Sequence, residues 1–162
     1  MATQDSHAHE TFLRRAIALA LENVQAGKGG PFGAVIVRDG EIVAEAANSV
    51  FTTNDPTAHA EVNVIRAACS KLGVFRLDGC VIYTSSEPCP MCLAACYWSH
   101  LERIYYAANA EEAARAGFDD AFLYREMALP PAERSLPAEE LLREEAQASF
   151  AAWDASPFKQ PY

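Results

Sequence analysis

Four side chains in one stretch of the chain could do chemistry together. His59-Ala60-Glu61 is followed, thirty positions after the histidine, by Cys89-Pro90-Met91-Cys92. One imidazole and two thiolates suit a tetrahedral zinc ion. Three protein ligands leave the fourth position for water, and zinc in hydrolytic sites lowers the pKa of such a water from ~15.7 towards ~7. Glu61 then stands beside the metal without being needed as a ligand. A carboxylate so placed can take a proton from the water and pass it to a leaving group, a role worth roughly 10²–10⁴-fold in rate. The chemistry expected is hydrolysis, with one zinc per subunit as cofactor.

Two helix starts must position these groups. A helix over 90–100, with Pro90 suited to its first turn, sets Cys89 and Cys92 three apart on one face. There the helix dipole favours thiolate over thiol. A second helix over 58–72, closed by Gly73, carries His59 in its first turn. Upstream, Phe12/Leu13, Ala16/Ile17, Ala20/Leu21 and Val24 form an apolar stripe that predicts a helix over 11–26. Gly27 stops it, and Gly29-Gly30-Pro31 turns the chain. Residues 32–37 and 41–46 read as a hairpin about Asp39-Gly40, and 48–57 as a polar loop. Strands follow at 80–84 and 103–107, a short helix at 110–116, turns over 117–137, and a last helix over 137–153. The hairpin is antiparallel, while strands alternating with helices demand parallel crossovers. The expected fold is a three-layer α/β/α sandwich with a mixed sheet.

The chain of 162 residues suggests one domain, and half of its residues are apolar, as in globular proteins. A net charge of −9 with scattered basic residues argues against a nucleic-acid partner, which would need Lys and Arg for its phosphates. No run approaches the ~20 apolar residues of a membrane span, and the first ten residues are polar, so a cytoplasmic location is expected. Cys69, Cys80 and Cys96 lie on apolar stretches and read as core; a fourth thiolate from any of them would close the zinc site and make it inert. His7, His9 and His100 read as surface or packing residues.

His-Ala-Glu followed by Pro-Cys-x-x-Cys resembles the signature of the zinc nucleobase deaminases. The resemblance extends through residues 29–37 (GGPFGAVIV), 54–62 (NDPTAHAEV), 83–92 (YTSSEPCPMC) and 117–120 (GFDD), with Trp153 and Tyr162 near the end. These runs look like bacterial guanine deaminases of the cytidine-deaminase-like type. The resemblance implies zinc ligands at His59, Cys89 and Cys92, and a proton shuttle at Glu61. It implies that the backbone of Ala60 approaches the base, that Asn48 hydrogen-bonds the base edge, and that Phe32 packs on the ring. Trp98 is either a pocket wall or core. Asp120 matches an acid that faces the substrate and assists proton transfer; a carboxylate suits guanine, whose N1–H and 2-amino group are adjacent donors. Asp119 could fill that role instead.

Tyr162 matches a C-terminal tyrosine that reaches a neighbouring active site. The resemblance therefore implies a homodimer with a C-terminal segment, about 137–162, exchanged between subunits, and turns over 126–137 as the hinge. The activity implied is hydrolysis of guanine, a small purine, to xanthine and ammonia. The rivals within the superfamily are guanosine, cytosine and tRNA adenosine deamination. A non-catalytic zinc protein is the rival outside it, and Glu61 argues against that, since a structural Cys/His site has no use for an unligated carboxylate.

Overall fold

A computed structural model describes residues 2–161. They form two compact units, one running to Asp120 and the other from Ala121. The first opens with helix α1 (Ala2–Gln25), followed by strands β1 (Gly33–Arg38) and β2 (Glu41–Ala47), a single helical turn α2 (Val50–Thr53) and helix α3 (Ala60–Leu72). Strand β3 (Cys80–Ser86), helix α4 (Pro90–Trp98), strand β4 (Arg103–Ala108) and helix α5 (Ala110–Arg115) complete it. The four strands make one sheet in the order β2-β1-β3-β4. β1 runs antiparallel to both β2 and β3, and β3 and β4 are parallel. The mixed sheet with an antiparallel hairpin is thus the one the sequence predicts. β2 and β3 point the same way with β1 between them, so α3 is a crossover in a βαβ unit.

Alternation along the strands separates two cores. Ala34, Ile36 and Ile82 face α3 and α4, joining Ala60, Val64, Ala68 and Cys96 in the larger cluster. Val35, Val37 and Tyr83 face α1 and pack on Ala16. Each fully buried valine or isoleucine here contributes about 1.5–3 kcal/mol relative to an exposed one. Gly33 marks the closest approach of α1 to the sheet: a Cβ there would strike the Ala16 carbonyl and the Ala20 amide.

The structure corrects the sequence reading of α1 in two ways. The helix begins at Ala2 rather than near residue 11, because its polar first half is anchored on the sheet through His9, described below. Its buried face is Ala16, Ala20 and Asn23, whereas Ile17, Leu21 and Val24 are exposed. The stripe is therefore rotated, with small residues admitting the close approach at Gly33.

The second unit contains α6 (Ala121–Ala128), a 3₁₀ turn (Pro131–Glu133) and α7 (Arg143–Asp154). Helix α6 lies where turns were expected, and α7 starts six residues later than predicted, preceded by Leu142 in the left-handed region. Neither helix has a buried residue. Among the described residues no helix is long and apolar enough to cross a membrane.

Candidate active site

The chemistry gathers at the carboxyl ends of β2 and β3, where the chain enters α3 and α4. His59 is the N-cap of α3 and Cys89 the N-cap of α4, with Pro90 opening the helix. Neither side chain caps its own helix. They turn to each other instead. Cys89 Sγ lies 3.6 Å and Cys92 Sγ 3.4 Å from the same nitrogen, Nδ1 of His59. All three ligand atoms fall within 4.8 Å of one another. A tetrahedral zinc with Zn–S of ~2.3 Å and Zn–N of ~2.0–2.1 Å sets sulfur and nitrogen about 3.5 Å apart, so these residues fit that ion. Cys69, Cys80 and Cys96 do not join the cluster.

Glu61, at the second position of α3, is 6 % exposed and receives the Cys92 thiol at 3.4 Å. Burial, and then the charge on Cys89, push its carboxyl above the usual range. The Cys92 thiol, with His59 assisting, draws Cys89 down to about 4. Cys92 moves the other way, upward, because of the neighbouring Cys89 thiolate, its own burial and Glu61. His59 is raised, chiefly by its bond to Cys89. Each anion in this cluster makes the next harder to form. A bound dication removes that conflict, which is the electrostatic argument for a metal here.

Asn48 is buried, at the end of the hairpin, and Ala60 is wholly buried as the first residue of α3. Phe32 is half-buried and meets Phe118 edge to face, with ring centroids 4.9 Å apart. That contact brings the Gly117–Asp120 turn to the hairpin. Asp120 is half-buried and Asp119 exposed. The Asp120 carboxyl is raised by partial burial first and by Cys89 next, with Asp119 and Glu87 adding smaller effects. Trp98 is not brought to the cluster. Six helical residues turn it about 240° from Cys92, and at 64 % exposure it lines a separate cleft with Ile65, Cys69 and Phe75. Tyr162 lies outside the described residues.

Three supports were not singled out from the sequence. Asn63 donates from Nδ2 to the carbonyls of Ala47 and Ala58 and to Ser49 Oγ, binding the 48–57 loop to α3. Ser85 Oγ accepts the Gly33 amide and joins β1 to β3 ahead of Cys89. Asn23 donates to Gly30 and Asn48. A buried asparagine on an otherwise apolar helix face was the available signal for the last.

The chain belongs to the cytidine and deoxycytidylate deaminase zinc-binding family, whose pattern it matches over residues 6–108. The metal such a site holds is zinc. Within that family the chain is similar to a guanine deaminase of Bacillus subtilis, 54% identical over 154 residues that cover 95% of this chain and 99% of the relative. The X-ray structure of guanine deaminase from Bacillus subtilis superposes with a TM-score of 0.93 at 55% identity, over 95% of this chain and 98% of that one. A tRNA-specific adenosine deaminase of Agrobacterium fabrum is 49% identical over 79 residues, covering 49% of this chain and 52% of the relative.

Proposed function

We propose that the protein deaminates guanine hydrolytically, giving xanthine and ammonia. The observation that carries this is the near full-length likeness to a guanine deaminase, in sequence and in fold, joined to an open three-ligand site with a buried carboxylate. His59, Cys89 and Cys92 would hold the zinc, which when bound supplies a Lewis acid that makes water a nucleophile near neutral pH. Glu61 accepts the proton of the water that attacks C2, delivers it to N3, and then assists protonation of the departing amine. Its raised affinity for protons suits a group that must hold one between two transfers. Ala60 and Phe32 border the base, and Asn48 bonds its edge. Asp120, the less exposed of the two turn acids, faces N1–H and the 2-amino group and aids the second proton transfer. Among the described residues, Trp98 is not one of those that gather at the zinc ligands.

The test is ammonia release from guanine, guanosine, adenine and cytosine by the zinc-loaded protein. Guanine should be the preferred substrate. Preference for any of the others, or no turnover of any, overturns the proposal. The likeness to tRNA-specific adenosine deaminases is less complete than that to guanine deaminase, at 42% identity over 65% of the chain for the Bacillus subtilis relative against 54% over 95%, and a net charge of −9 disfavours a polyanion, so an RNA substrate is the weaker reading.

We infer further that both units serve one catalytic domain and that residues 137–162, Tyr162 included, are exchanged within a homodimer. The support is the second unit's lack of a core: Phe122, Met127, Leu141, Leu142, Phe150 and Trp153 are all exposed. A 42-residue unit of this kind needs another surface to bury them. Light scattering should give a dimer mass. A monomer mass at full activity would sink the exchange.

A further inference from the structure

Two of the residues assigned to the base, Phe32 and Asn48, hang on one buried amide. Asn23, in the last turn of α1, is 7 % exposed. Its Nδ2 donates to the carbonyl of Gly30 and to the carbonyl of Asn48, both at 2.9 Å. The same Gly30 carbonyl accepts the Phe32 amide at 2.9 Å, and the Asn48 amide donates to the Phe32 carbonyl at 3.0 Å. Asn23 therefore ties together the backbone of both Phe32 and Asn48, across 25 residues of chain in the second case.

This framework also fixes which way the Asn48 side chain faces. Its Oδ1 accepts from the amides of Gly30 and Val50, each at 3.3 Å. A reversed amide would set its NH₂ against two N–H donors, an arrangement that leaves all three unpaired. With the oxygen committed, Asn48 can offer a ligand only its Nδ2 donor. The packing leaves little room for adjustment. A Cβ on Gly29 would strike the Asn48 carbonyl oxygen and crowd both Asn23 Nδ2 and Asn48 Oδ1.

We propose that Asn23 is a positioning residue for substrate: by holding the Gly30 and Asn48 carbonyls it orients Asn48 so that the side-chain nitrogen, a donor, addresses an acceptor on the purine edge. This rests on the assignment of Asn48 to the base made above. Asn23 does not touch substrate and acts only through its partners. A purine with a 6-oxo group presents two acceptors on that edge, O6 and N7, whereas a 6-amino purine presents N7 beside a donor.

A double-mutant cycle tests this. Zinc-loaded wild type, Asn23→Asp, Asn48→Ala and the double variant are compared for kcat and KM on guanine, zinc content and Tm. Asn23→Asp is isosteric and replaces the donating NH₂ by oxygen. It should lower kcat/KM on the order of 10²-fold, the effect of a small misplacement in a site, with zinc content unchanged. In the Asn48→Ala background the loss should be several-fold smaller, because the side chain that Asn23 orients is gone and only the Phe32 backbone remains to be disturbed. An equal loss in both backgrounds, or no loss in either, overturns the proposal. Should Asn23→Asp fail to fold, Asn23→Ala, which removes both donated bonds without adding a charge, enters the cycle in its place. If Asn48→Ala alone leaves guanine turnover intact, it is the assignment of Asn48 to the base that fails; if Asn48→Ala is impaired and the cycle is additive, only the role of Asn23 fails.

Discussion

Two histidines lie on opposite faces of the same sheet, each meeting two side chains among the described residues, and they do different work. On the α3/α4 face both sulfurs approach one atom, Nδ1 of His59. On the α1 face His9 uses its two nitrogens separately, Nδ1 with the Tyr83 hydroxyl at 2.7 Å and Nε2 with the Tyr105 hydroxyl at 3.2 Å. Hydroxyls can donate or accept, so protons alone satisfy the second arrangement. The first has three lone-pair donors converging, with Glu61 behind them, and protons satisfy it only at the expense of one another. Convergence on a single point is what separates a metal site from a polar staple. The staple is further set by aromatic stacking: the His9 ring lies 4.3 Å from that of Tyr105, and Tyr83 and Tyr105 stack at 5.2 Å.

The largest expected effect breaks the first face. His59→Ala should lose zinc by metal analysis and reduce turnover below detection. Glu61→Gln should keep its zinc yet lose roughly 10²–10⁴-fold in kcat, since it removes the proton carrier and not a ligand. His9→Phe should keep both zinc and turnover, within a few-fold. If His9→Phe released the metal, the distinction between convergent and divergent histidines would be wrong for this protein.

Much of the first face was legible in the sequence because its constraint is local. Two ligand-bearing helix starts, a Pro at the first turn of one and a Gly closing the other, fix His59, Glu61, Cys89 and Cys92 without knowledge of the remaining fold. The hairpin and the mixed sheet were legible for the same reason, in their turn residues and alternation. The second face was not. His9 reads as part of a polar tail until Tyr83 and Tyr105 are placed beneath it, 74 and 96 residues away. Asn23 is hidden for the same reason, its partners lying across the turn and the hairpin. Trp98 shows the converse limit: proximity to Cys92 in sequence suggests a pocket wall, but helical rotation points it elsewhere. In α1 the apolar residues outnumber the positions the sheet can cover, so the pattern alone did not select Ala16, Ala20 and Asn23.

A smaller effect sharpens the second face. Tyr83 is 2 % exposed, and Tyr83→Phe leaves its ring in place while removing the hydroxyl that meets His9. Losing that hydrogen bond at a half-buried site costs about 0.5–1.5 kcal/mol. For a chain of this size each kcal/mol moves Tm by roughly 2–4 °C. Calorimetry should record that fall with kcat/KM on guanine unchanged. A matching loss of kcat/KM would mean that the α1 face reaches the chemistry by some route other than Asn23.

The smallest effect concerns the rim of the second face. Arg15 on α1 meets both oxygens of Glu45 on β2, at 2.8 and 2.5 Å. The side chains are 35% and 38% exposed, so solvent screens the pair and its worth is about 0–1 kcal/mol. The bond from Arg15 holds the Glu45 carboxyl below the usual 4.5. A lowered carboxylate stabilises the fold above its unfolded pKa, and that stability fades as pH falls through the lower folded value. Glu45→Gln should therefore melt slightly below wild type at neutral pH, with the gap shrinking as pH falls through and below the usual carboxylate range. Acid also weakens zinc binding by protonating the ligands, but it does so in both proteins, so the difference between their melting curves isolates Glu45. A gap that stayed the same across the whole acid range would assign the contribution to packing of the side-chain stems across α1 and β2, and the rim of this face would then owe nothing to charge.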